Sequence, residues 1–151
     1  MSRDYQRSRI YAWEDRYIHS RDYSVIPFEQ AQSIVDYVWA EAGRTHPPKV
    51  VMISQAARRT VANANRLRIT IPRHGIKTTI LLHEIAHSMT GSIDEPSDHG
   101  PAFVGTFMCL VCHHIRTFSL PQLMDSARSE GVDFDLTAAS SAGPVGAIEQ
   151  G

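Results

Sequence analysis

The chain has 151 residues, 42% of them hydrophobic, which suits one domain with an ordinary core. A formal net charge of -1 excludes nucleic-acid binding by overall charge, and two cysteines, Cys109 and Cys112, exclude a disulfide framework. No stretch approaches the roughly 20 apolar residues that span a bilayer. The opening MSRDYQRSR has no apolar signal-peptide core, so the expectation is a soluble, cytoplasmic protein with reduced cysteines and no membrane partner.

In chain order, Ile10, Trp13 and Tyr17 recur at three- and four-residue intervals, which predicts a short amphipathic helix within an N-terminal extension over 1–26. Tyr11, Trp13 and Glu14 are assigned to helix packing there. Pro27 suits a first helical turn, and Phe28, Ala31, Ile34, Val35, Val38 and Ala42 trace one face of a helix that Gly43 ends. Beyond His46-Pro47-Pro48, Lys49 to Ile53 reads as a strand and Arg59 to Ala62 as a second. Asn63-Ala64-Asn65 is the expected turn, leading into a strand that buries Leu67, Ile69 and Ile71. A helix is predicted over 77–90, with Ile80, Leu81, Ile85 and Met89 on its core side and Gly91 as its cap. Pro101 opens another helix with Phe103, Phe107, Leu110 and Val111, and Leu120 to Glu130 forms a last one, stopped by Gly131. Residues 137–151, TAASSAGPVGAIEQG, read as a disordered tail beyond a single domain over 1–136. These elements define an α+β chain.

Within LLHEIAHSMT, His83, Glu84 and His87 form an HExxH pattern. Residues four apart share a helix face, so His83 and His87 can meet one metal ion while Glu84 sits beside its open position. The metal expected at such a site is Zn2+. A catalytic zinc has three protein ligands, and His99 is nominated as the third, with Asp98, Asp94 and Glu95 in reserve. A metzincin would have glycine at 90 and histidine at 93, where this chain has Thr90 and Ile93. The chemistry is hydrolysis of a peptide or protein substrate: zinc acidifies water, Glu84 takes the proton as general base, and Glu84 later protonates the departing amine. The strand Arg66 to Ile71 is a candidate platform for an extended peptide. His74, Arg73, His113 and His114 are candidates for stabilising the oxyanion.

Two further features have simpler readings. Cys109-Leu110-Val111-Cys112-His113 matches a haem-attachment pattern, but its cysteines fall in an apolar helical run and read as small hydrophobes. From Glu41 to Glu84 there is no acidic residue between, and Arg44, Lys49, Arg58, Arg59, Arg66, Arg68, Arg73 and Lys77 make residues 44–77 a basic stretch. This stretch reads first as a solvated strand face, and it also supports an alternative function, a zinc-stabilised binding module without catalysis, weak nucleic-acid contact included.

HEIAH followed by HGPAF resembles the SprT-like metallopeptidases, in which HExxH is completed by a histidine in an HGxxF-type segment. The chain is also similar to the small metallohydrolases of actinobacteria and their phages, through RDYQRSRIYAWE, LRITIP, ILLHEIAHSMT, HGPAFVGTF and LMDSARSEGVDF, over roughly residues 3–135. The resemblance implies a compact zincin-like fold, with zinc on His83, His87 and His99 and Glu84 as base. Ala102 departs from the polar residue frequent in the SprT pattern, and with two cysteines the chain has no four-cysteine zinc ribbon.

Overall fold

The N-terminal periodicity forms helix α1 (Arg7–Tyr17) in the computed structural model, which describes residues 4–53, 62–94 and 97–137. Ile10 and Trp13 are wholly buried, and the Trp13 indole N–H donates to Ser126 Oγ at 2.8 Å, fixing α1 to the last helix. A single 3-10 turn (His19–Arg21) and an extended segment lead to α2 (Phe28–Glu41), with Pro27 as the residue before its first turn. Gly43 ends α2 at φ 74°, with Gly43 N–H donating to Ala40 and Arg44 N–H to Trp39, a termination that favours glycine.

Among the described residues the sheet has three strands, β1 (Lys49–Met52), β2 (Asn63–Ala64) and β3 (Arg68–Ile71), in the order β1-β3-β2. β1 runs parallel to β3 and β2 antiparallel to it. Three expectations change here. Asn63 and Ala64 form a strand, and the turn falls two residues later, where Asn65 Oδ1 accepts from the N–H groups of Leu67 and Arg68. Leu67, expected in the core, is therefore in the turn and exposed, while Ile69 and Ile71 are buried. The strand expected as the peptide platform is the central one, with both sides hydrogen-bonded, so among the described residues the edge nearest the cleft belongs to β2. The expected strand at 59–62 and the tail from 138 lie outside the described residues, apart from Ala62.

Helix α3 (Thr78–Thr90) carries the HExxH residues and is buried continuously from Leu81 to Met89. Ile80, expected in the core, is only partly buried and lines the cleft. The cap of α3 is remote in sequence: Asp22 Oδ2 accepts from Thr79 N–H at 2.7 Å and Ser24 Oγ from Thr78 N–H at 3.1 Å. Lys77, just before the helix, donates its ammonium to the carbonyls of His19 and Asp22. At its other end Gly91 closes the helix in an extended conformation, its N–H on the His87 carbonyl.

Helix α4 (Pro101–His114) packs against α3, and α5 (Leu120–Ser129) against α1 and α4. After α5 the chain turns at Gly131 and crosses α4 so closely that a Cβ at Gly105 would lie 2.0 Å from the Asp135 carbonyl oxygen. Asp135 N–H donates to the Pro101 carbonyl at this crossing. The described residues thus form an α+β fold of five α-helices around a small mixed sheet. No helix among them is long and apolar enough to cross a membrane.

Gly105→Ala is expected to destabilise the fold by at least about 2 kcal/mol in urea denaturation, because the clash is with backbone that cannot rotate away. Asp22→Ala removes a cap from α3 and is expected to cost about 1 kcal/mol near neutral pH. Burial alone would raise the Asp22 pKa, but the hydrogen bonds from Ser24 and Thr79 outweigh it and hold the carboxyl below its usual value. Its stabilisation is thus complete above the unfolded carboxyl pKa of about 4 and is lost as pH falls through the lower folded value. Urea titrations of both proteins should show the gap between them closing below pH 4.

Candidate metal centre

Helical spacing puts His83 and His87 one turn apart on α3, with ring centroids 4.8 Å apart. His99 arrives from the loop before α4, and the ligand-capable atoms of His83, His87 and His99 all lie within 4.8 Å of one another. The Nε2 atoms of His87 and His99 are 3.1 Å apart. Two nitrogens on a tetrahedral zinc, at about 2.0–2.1 Å each, stand about 3.3 Å from one another, so this edge matches a shared ion.

All three Nδ1 atoms are engaged, each by a different element. His83 Nδ1 meets the Glu14 carboxylate of α1, His87 Nδ1 meets Ser97 Oγ at 2.7 Å, and His99 Nδ1 meets Asp4 Oδ2 at 2.9 Å. With these Nδ1 atoms as donors, each Nε2 presents a lone pair. The Nε2 atoms of His87 and His99 then repel at 3.1 Å unless a cation lies between them. Burial first, then His83 and His99, drives the His87 pKa down to about 2, which keeps that ring neutral and metal-ready. The donor set fits zinc.

Backbone contacts hold the third histidine as well. Asp4 Oδ1 accepts the His99 N–H at 2.9 Å, and Gln6, 1% exposed, donates Nε2 to the His99 carbonyl and to the Asp133 carbonyl. Asp133 N–H returns to Gln6 Oε1. Beneath the imidazoles lies Phe103, four residues after His99, stacked on His87 at 4.2 Å between centroids and edge-on to His83 and His99. Phe107 stacks behind Phe103. The HGPAF segment thus supplies a ligand and, one helical turn later, the apolar floor under the site.

Glu84, 5% exposed, lines the cleft beside His83 and His87. Burial, opposed by His83 and reinforced by Glu14, raises its pKa to about 7. Glu14 is deeper, yet its neighbours His83 and His19 outweigh the effect of burial and hold it ionised below its usual value. His83 shifts upward in turn, burial being outweighed by Glu14. Glu14, His19 and His83 also converge, but His83 commits Nδ1 to Glu14, so this group orients a ligand.

The cleft above the site has a volume of about 1310 Å³, walled by Arg7 and Tyr11 of α1, by Ala64 and Thr70 of the sheet, and by Ile76 and Ile80 before and within α3. His74 of the oxyanion candidates lines it, whereas Arg73, His113 and His114 do not. His113 pairs with Glu41, and His114, whose pKa burial lowers to about 4, packs edge-on to Tyr37. Of the reserve ligands, Asp98 accepts from Gly100 N–H and Asp94 is exposed, both outside the histidine cluster, while Glu95 lies outside the described residues. Cys109 and Cys112 are not disulfide-bonded and lie away from the cleft, with Cys112 pushed up to about 12 by burial and by Cys109. Several cations of the basic stretch have internal contacts: Arg66 and Arg44 lie over the Trp39 ring, and Lys77 holds two carbonyls. Arg58 and Arg59 are outside the described residues.

Sequence reasoning missed Asp4, Gln6 and Ser97 and assigned Glu14 to packing. The only signal available for Glu14 was an acidic residue on the otherwise apolar Ile10–Trp13 face of an amphipathic helix. Comparisons with protein-family models, with curated proteins and with solved structures find no match to this chain.

Replacing the groups on the Nδ1 atoms is expected to loosen the metal. Glu14→Gln and Asp4→Asn should each lower zinc affinity about 10- to 100-fold, read by competition with a chromogenic chelator. Unchanged affinity in both would show that the rings are held by packing alone.

Proposed function

We propose that the chain is a zinc-dependent metallohydrolase of zincin-like fold, acting as a metallopeptidase. The observation that carries this reading is the placement of Glu84, buried and cleft-facing, beside three imidazoles whose Nδ1 atoms are all engaged elsewhere. The resemblance of HEIAH and HGPAF to SprT-like metallopeptidases supports it.

His83, His87 and His99 would hold the ion. Zinc, when bound, supplies Lewis acidity that lowers the pKa of water toward 7 and polarises a substrate carbonyl. Glu84, raised toward neutrality by burial, is matched to accept a proton from attacking water and return it to the leaving nitrogen. The phenylalanine floor excludes water from beneath the ligands and keeps the local dielectric low, which strengthens both interactions. An extended peptide fits along β2, whose Asn63 and Ala64 border the cleft and which, among the described residues, has a strand on one side only. The apolar wall of Ile76 and Ile80 then faces a substrate side chain.

Glu84→Gln is expected to retain one equivalent of zinc and lose at least about 100-fold in turnover of a fluorescence-quenched peptide library. His99→Ala should lose the metal itself, measured by elemental analysis of purified protein. A wild-type protein that carries zinc yet cleaves nothing across the library would replace this reading with the zinc-stabilised binding module.

A further inference from the structure

The proposed hydrolysis leaves one requirement unmet by the residues so far placed in it. As water adds to the carbonyl carbon, the π electrons pass to the carbonyl oxygen, and that charge calls for a donor besides the ion. Tyr11 is the side chain positioned for it. Its ring lies edge-on to His99 at 5.2 Å and stacks near His83 at 6.3 Å between centroids, so it borders two of the three ligands from the α1 wall. It is 40% exposed, and that surface opens into the cleft.

Three other polar side chains of the cleft are less suited. Lys77 Nζ is held by two backbone carbonyls, and His19 Nδ1 by Thr79 Oγ1 at 2.7 Å. His74 lines the cleft but makes no ring contact with any of the three histidines, so it stands further from the reacting centre. The Tyr11 hydroxyl has no hydrogen bond to any described residue. The Arg7 guanidinium lies over the Tyr11 ring at 5.5 Å from its centroid, fixing the ring and adding positive charge beside the phenol.

We propose that Tyr11 is the catalytic oxyanion donor: its hydroxyl hydrogen-bonds the substrate carbonyl oxygen as that oxygen becomes anionic. Tyr11 keeps its proton throughout. The water oxygen bonds to the carbonyl carbon while Glu84 takes the water proton. Then the C–N bond breaks, its electron pair leaves on nitrogen, and Glu84 protonates that nitrogen as the carbonyl re-forms. Because the hydrogen bond is stronger to the anion than to the neutral carbonyl, it accelerates the reaction without tightening ground-state binding. This inference rests on the hydrolase reading above.

Tyr11→Phe tests it, since phenylalanine retains the ring against His83 and His99 and removes only the hydroxyl. On the best-cleaved library peptide, kcat is expected to fall about 100- to 1,000-fold with KM changed by less than about threefold. Zinc content and melting temperature should match wild type. The affinity for a phosphonamidate analogue of Gly-Leu-Ala, which carries the tetrahedral anion, should fall by a factor similar to kcat. Wild-type kcat in the variant, a loss confined to KM, or equal phosphonamidate affinity in the two proteins overturns the assignment and leaves the hydrolase reading standing. A zinc-loaded wild type that neither cleaves any library peptide nor binds the phosphonamidate overturns the hydrolase reading and this inference with it.

Discussion

Three imidazoles can aim their Nε2 lone pairs at one point only if each remaining ring nitrogen has a hydrogen-bond partner, because an unpaired buried N–H costs more than most packing contacts return. The architecture around α3 meets this constraint from three directions. Glu14 comes from α1, Ser97 from the loop after α3, and Asp4 from the segment before α1. Displacing α1 together with the segment before it would release His83 and His99 together. For that reason the N-terminal helix, expected as an extension, packs as part of the core with Ile10, Trp13 and Ile18 fully buried.

The two ends of the described chain meet behind the site for the same reason. Gln6 links the His99 carbonyl to the backbone of Asp133, Trp13 ties α1 to α5 through Ser126, and the segment through Asp135 presses on Gly105 of α4. Each of these hydrogen bonds contributes only about 1 kcal/mol net. Their larger effect is positional: they restrict where His99 can lie, which a short loop ligand could not achieve by itself.

Burial raises the pKa of two glutamates of the site, and their neighbours decide opposite outcomes. Glu14 is enclosed with His83 and His19 and stays ionised, which fixes the tautomer of His83. Glu84 is enclosed with less compensation and rises toward neutrality, which suits it to exchanging protons. It lines the cleft from the same helix as His83 and His87, whose rings pack on Phe103 and Phe107 of α4.

Local information carried much of this. The three- and four-residue spacing of apolar side chains located α1 to α5 within a few residues, since a helix repeats every few positions and its core face is written in the chain. The His83, Glu84 and His87 spacing, and His99 ahead of a helix opened by Pro101, were legible for the same reason. Strand order was not: a two-residue strand at Asn63–Ala64 has no periodicity to read, and only its pairing with Thr70 and Ile69 defines it. Nor were the partners of the ligands, because Glu14 lies 69 residues from His83 and Asp4 lies 95 from His99. By itself the sequence determined that two histidines stand one helical turn apart with a glutamate between them and a third histidine ahead of the next helix. Only the tertiary structure decided which nitrogen of each ring is left to face the cleft, since that depends on hydrogen bonds between segments that nothing but packing brings together.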